Sequence, residues 1–369
     1  MMNNKEYLTM QDIVVQLGQI DYLEILETIR PLIIFYLTNR ALKAYSLHKS
    51  YKPKKISSVL LPEELTTKYN EVDIKKLAAK EFGEYVVKFA EFAVKTFPKE
   101  DLTNFYNNIN DLKTRSKNNS VRKAFFDKGL VGVYKNKKNE ITIFNGKKIE
   151  TTIYHELFHM ASSIFKDGKK ISGFHQTSWK GDIGKGINEG YTEFLTQRYF
   201  THDITTAGAY YYHVLIAEKL EQIVGQEKMQ SLYLNANLKG LIDELKQYAS
   251  EEEVMRFISD TDFLISHMHD NESHSHLRKM IEKCYKRINR FLIICYSRKL
   301  QHQYNNYAPF SSDELVEKLA KFVSKLPNTI SSGKYVYQAM TDEEFGESLR
   351  ASLIKPNDKN QEETKDIKK

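Results

Sequence analysis

The sequence predicts an α+β protein that is predominantly α-helical, and three observations carry that expectation. Apolar residues recur at three- and four-residue spacing along most of the chain, the signature of amphipathic helices. Two short β-branched or aromatic runs stand close together near residue 130. The composition of the 369 residues, 41% hydrophobic, 12% aromatic and 28% charged, suits a globular chain with a sizeable core and excludes a disordered or collagen-like one. At roughly 150 residues per domain this length allows two or three folding units.

Taken in order, residues 13–47 and 72–97 have helical spacing, with Leu77, Phe82, Val86, Phe89, Ala93 and Phe97 on one face of the second stretch. Pro53 and Pro62 bound a basic connector between them, and residues 1–119 are expected to form a helical N-terminal region. The pattern then changes. Residues 129–134 (GLVGVY) and 140–144 (EITIF), separated by the polar KNKKN, predict a β-hairpin. A helix should begin near Thr151, give way to a Gly- and Ser-containing loop over 166–185, and resume near Ile187, so that 120–206 forms a central core. Helical periodicity dominates 207–355, with breaks near Gly225, at 270–275 and at 327–333. Residues 356–369 have almost no apolar content and are expected to be a disordered tail.

The longest apolar runs, 32–37 and 291–296, fall far short of the ~18 residues a membrane-crossing helix needs, so no membrane partner is expected. Net charge is +7, but Lys and Arg are interleaved with Asp and Glu, which argues against nucleic acid as a partner. Lys5, Glu6 and Asp12 interrupt the start of the chain where an export signal would be apolar. Cys284 and Cys295 fall in one predicted helix, about 16 Å apart by helical rise, too far for a bridge. A cytoplasmic location is the expectation.

The chemistry concentrates in TTIYHELFHMASSIF. On a helix, residues four apart share a face, so His155 and His159 can offer two imidazoles to one metal ion while Glu156 occupies a neighbouring position. Every other side chain from 151 to 165 except Tyr154 is apolar or small. Unpaired imidazoles and a carboxylate buried in such a helix would cost several kcal/mol in lost hydration, so a compensating ion is the better reading than two core histidines. A catalytic zinc site needs a third protein ligand. Gly186-Ile187-Asn188-Glu189-Gly190-Tyr191-Thr192-Glu193 offers two acids at a spacing of four, one able to bind metal while the other supports it.

Over about 129–200 the chain resembles the gluzincins, the thermolysin-like and aminopeptidase-like zinc metallopeptidases with two histidines on one helix and a glutamate on the next. The resemblance implies a zincin-like catalytic core and one Zn²⁺ per chain, with Glu189 as third ligand and Glu193 orienting His155. It further implies that the ion lowers the pKa of a bound water toward ~7 while Glu156 acts as general base, and that peptide or protein is the substrate. Glu193 stands where thermolysin-like enzymes often have Asp, and the connector after His159 is longer than usual. In the family an edge strand ahead of the metal helix pairs with extended substrate; 130–134 or 141–144 would supply it. A second electrophile for the oxyanion is expected from Tyr210, Tyr211, Tyr212 or His213 on the next helix, of which Tyr211 and His213 are singled out.

The segment holding His267, His269, His274 and His276 lacks regular ligand spacing and reads as a solvated connection; His175 in the connector could line the cleft, though a lone loop histidine is usually just exposed. No glycine-rich segment adjoins an acidic amine-recognition residue, which favours an endopeptidase. The competing expectation is a helical binding or regulatory protein whose zinc site is structural or inactive. Hydrolysis of a non-peptide ester or amide is a third. Glu156 separates the first two, because a structural site has no use for a carboxylate between its ligands.

Overall fold

The structure, a computed structural model, describes residues 53–59, 71–117, 131–144, 149–166, 169–178, 181–201, 210–267, 275–307, 312–332 and 335–352. The helix expected at 13–47, most of the histidine-rich segment and the tail at 356–369 lie outside the described residues. All described residues belong to one compact unit beginning at Pro53.

Helix α1 (Ile74–Ala78) is capped by Asp73, whose side chain accepts from the Lys76 amide. Helix α2 (Gly83–Thr96) turns Val86, Phe89, Ala90 and Ala93 into the core at helical spacing, and α3 (Thr103–Ile109) adds Phe105 and Ile109. Strand β1 (Lys113–Lys117) follows, inside the stretch expected to be helical. Lys-Thr-Arg-Ser-Lys has no apolar stripe to bury; its backbone pairs instead, and Arg115 lies 3.2 Å from Glu140 on the neighbouring strand.

The expected hairpin forms between β2 (Gly132–Lys135) and β3 (Glu140–Phe144), antiparallel with Val133 opposite Thr142. Because β1 lies parallel along the other side of β3, the strand order is β1-β3-β2. Strand β3 is therefore central and buried throughout, which removes 141–144 as a docking edge; β2 is the edge on the hairpin side.

Helix α4 (Ile149–Ala161) crosses this sheet and packs on α2 and α3. The connector expected as a loop over 166–185 is instead an antiparallel meander of β4 (Ser163–Lys166), β5 (Lys169–Ser172), β6 (His175–Ser178) and β7 (Gly181–Ile183). Each strand is only three or four residues long and mostly polar, so backbone pairing with the next strand, not an apolar alternation, defines it. Helix α5 (Lys185–Thr196) leaves the meander and ends in a π-helical turn at Gln197–Thr201.

The rest is helical: α6 (Tyr211–Val224), α7 (Gln226–Leu234), α8 (Leu238–Leu245), α9 (Glu251–His267), α10 (Ser275–Tyr307), α11 (Ser312–Ser324) and α12 (Asp342–Ser352). Helix α9 starts from a capping box, in which the Glu253 amide donates to Ser250 Oγ and the Ser250 amide donates to Glu253 Oε2. It packs against both α5 and α10, tying the helical half to the site. Between α11 and α12 the break expected at 327–333 is a hairpin of β8 (Thr329–Ser332) and β9 (Tyr335–Gln338). Cys284 and Cys295 are both buried in α10 and unbridged. No helix among the described residues is long and apolar enough to cross a membrane.

Candidate metal centre

Helix α4 is buried on two sides for different reasons. Tyr154 and Phe158 enter an aromatic cluster, Tyr154 stacked on Phe200 at 3.9 Å and Phe158 edge-on to Phe89 at 5.0 Å between ring centres. His155, Glu156 and His159 form the opposite ridge and face a cleft of about 430 Å³. The helix stops just past them, where the hydroxyls of Ser162 and Ser163 donate to the Phe158 and His159 carbonyls at 2.9 and 2.6 Å.

Helix α5 is fixed from outside. The amides of Gly184 and Gly186 donate to the two oxygens of Asp262 on α9, at 2.8 and 2.9 Å, giving a carboxylate to the positive end of the helix. Gly190 touches α6 so closely that a Cβ there would run into the His213 carbonyl. These clamps set Glu189 opposite the two histidines.

The donors converge. His155 Nε2 lies 3.1 Å from His159 Nε2, and Glu189 Oε2 lies 3.4 Å from the first and 3.5 Å from the second. Ligands on a tetrahedral ion with bonds near 2.0–2.1 Å sit roughly 3.3 Å apart, so these separations fit one zinc-sized cation. Among the described residues, His155, His159 and Glu189 are the one group of three or more such side chains able to hold a metal ion.

The supports are equally specific. His155 Nδ1 lies 2.9 Å from Glu193 Oε2, and the other oxygen of Glu193 accepts from Gln197 Nε2 at 3.0 Å. His159 Nδ1 faces the Asn188 amide at 3.3 Å, and Asn188 Oδ1 accepts from the Phe174 amide at 3.0 Å. Glu156 Oε2 accepts the Tyr134 backbone N–H of the edge strand at 2.6 Å.

Electrostatics follow from this packing. Burial by itself would lower His155, but the carboxylates of Glu189 and Glu193 outweigh it and carry the ring to about 10. Burial would raise Glu189, yet the two imidazoles hold it well below the usual carboxylate range. For Glu156 burial wins over the same imidazoles and its pKa is raised.

Tyr211 and His213 do not join the site. Tyr211 is 40% exposed, and His213 is buried with Nε2 3.3 Å from the Thr261 carbonyl. The reason is the start of α6: Tyr210, just ahead of the first turn, is the residue whose ring lies parallel to His155 at 5.9 Å and lines the cleft. Of the two readings of His175 the structure has the cleft-lining one, with the residue on β6, not in a loop, and 3.5 Å from Asp182. Asn188 and Gln197 were not assigned from sequence; their spacing to Glu189 and Glu193 was visible, their acceptor and donor roles were not. No protein-family model, curated protein or solved structure matches the chain.

Proposed function

We propose that the protein is a zinc-dependent metallopeptidase that hydrolyses internal peptide bonds, with His155, His159 and Glu189 as ligands and Glu156 as general base. The observation that carries this reading is the meeting of three donors, at separations suited to one ion, beside a buried carboxylate at the floor of an open cleft. Bound zinc supplies a Lewis acid that acidifies water and polarises a carbonyl.

The chain's own residues do the rest. Glu156 receives the proton of the attacking water and hands it to the departing amine; burial raises its affinity for that proton toward the working range of a general base. The Tyr134 amide fixes one oxygen of Glu156, so the carboxylate cannot swing away as its protonation changes. Ligation through Nε2 leaves the proton on Nδ1 of each ring, and a ring in that state needs an acceptor behind it. Glu193 is that acceptor for His155. Behind His159 stands the Asn188 side chain, 3.3 Å from Nδ1, its oxygen held by the Phe174 amide. Tyr210, alongside His155, is the cleft-lining candidate for assisting the developing oxyanion.

A purely structural zinc centre is closed by a fourth protein ligand, whereas among the described residues three candidate ligands face an open cleft. The test is digestion of an unbiased peptide library by wild type and Glu156→Gln side by side, with zinc analysis of both. The expectation is about one zinc per chain in each, and cleavage by the wild type only. Zinc-free wild type, or equal cleavage by both proteins, overturns the reading.

A further inference from the structure

The cleft above the candidate centre has a one-sided charge. Lys135 stands on the edge strand β2, Lys137 in the turn that follows it, Lys170 on β5 of the meander and Lys185 at the first residue of α5, and all four line the cleft. Among the described residues the only carboxylates lining it are Glu189 and Glu156, which the reaction itself uses. Lys135 has a partner outside the cleft, Glu140 at 3.7 Å; for Lys137, Lys170 and Lys185 no ion pair occurs among the described residues.

Lysines along one helix are ordinarily just a solvated face. These come from separate elements that enclose the cleft, so their charges add within it, and low-dielectric walls concentrate the resulting potential. A divalent cation on the three donors would raise it further. Strand β2 adds direction: an extended chain pairing with this edge sets its side chains beside those of Lys135 and its neighbours. We infer that the cleft selects acidic peptide segments, with Lys137, Lys170 and Lys185 recognising Asp or Glu side chains flanking the bond to be cut. The inference rests on the peptidase reading, whose substrate class it supplies.

The experiment uses two short peptides with the same apolar residues, one rich in Glu and one rich in Lys, and the zinc-loaded full chain. The acidic peptide should be cleaved with kcat/KM at least about tenfold higher, mostly through KM, and the preference should shrink as salt is raised. The double variant Lys137→Glu/Lys170→Glu, at unchanged zinc content, should lose that preference or invert it. Equal cleavage of the two peptides, or a preference the double variant leaves intact, overturns the inference while peptide hydrolysis itself stands. If zinc-loaded protein cuts neither peptide nor the library, the peptidase reading fails. Calorimetry then decides on recognition alone: Glu156→Gln binding the acidic peptide at least tenfold tighter supports it, and equal or absent binding overturns it.

Discussion

At the scale of single residues, the centre depends on what stands behind the imidazoles as much as on the imidazoles themselves. Glu193→Gln should weaken zinc retention by roughly 10- to 100-fold, as removal of such partners does elsewhere, measured by chelator competition. The two acids facing His155 also set the proton balance. The ring holds its proton up to about pH 10, and a zinc ion bound there would have to displace it. Zinc uptake near pH 8 should therefore release close to one proton from this ring and weaken as pH falls, seen by calorimetry in buffers of different ionisation enthalpy. His155, Glu156 and His159 were legible in the sequence because helical spacing alone puts them on one ridge. The choice of Tyr210 among its neighbours was not, because a one-residue difference in where α6 begins decides which of Tyr210, Tyr211 and Tyr212 turns to the cleft, and spacing says nothing about phase relative to another element.

At the scale of elements, the position of α5 is set by backbone approach. Gly190 lets α6 come within contact of the helix that carries Glu189, and Gly190→Ala would press a methyl group onto the His213 carbonyl. That substitution should cost about 1–3 kcal/mol and, unlike a remote destabilisation, lower zinc content at temperatures where the protein is still folded. Thermal unfolding and metal analysis on one sample check both halves. Helices were readable because their buried stripes are local in sequence; β1 and the meander were not, because their strands are short and polar and exist through partners elsewhere in the chain. The edge position of β2 depended on β1 in the same way.

For the whole molecule, the helical half appears in the sequence as periodicity, and its role as support for α5 appears only in the packing of α9 and α6. That half also contains a destabilising group. Lys219 on α6 is fully buried, its ammonium 4.4 Å from the Phe322 ring centre and without a hydrogen-bond partner among the described residues. Burial lowers its pKa to about 8. The folded chain thus binds this proton less readily than the unfolded one, so stability on this account rises between about pH 8 and 10.5. Lys219→Met should raise the melting temperature by a few degrees at pH 7 and by less at pH 10, with no change in zinc content, as a pH series of melts would report.

The pairing of β1 with β3 reaches furthest. A fragment starting at residue 120 would keep His155, Glu156, His159 and Glu189, yet bare the inner flank of the strand on which the centre's sheet is built. Such a fragment invites self-association in place of folding. Any minimal version of this protein must therefore retain Lys113–Lys117, or receive an equivalent strand as a separate peptide. Complementation by that peptide would turn an unremarkable polar segment into a handle for switching the fragment on.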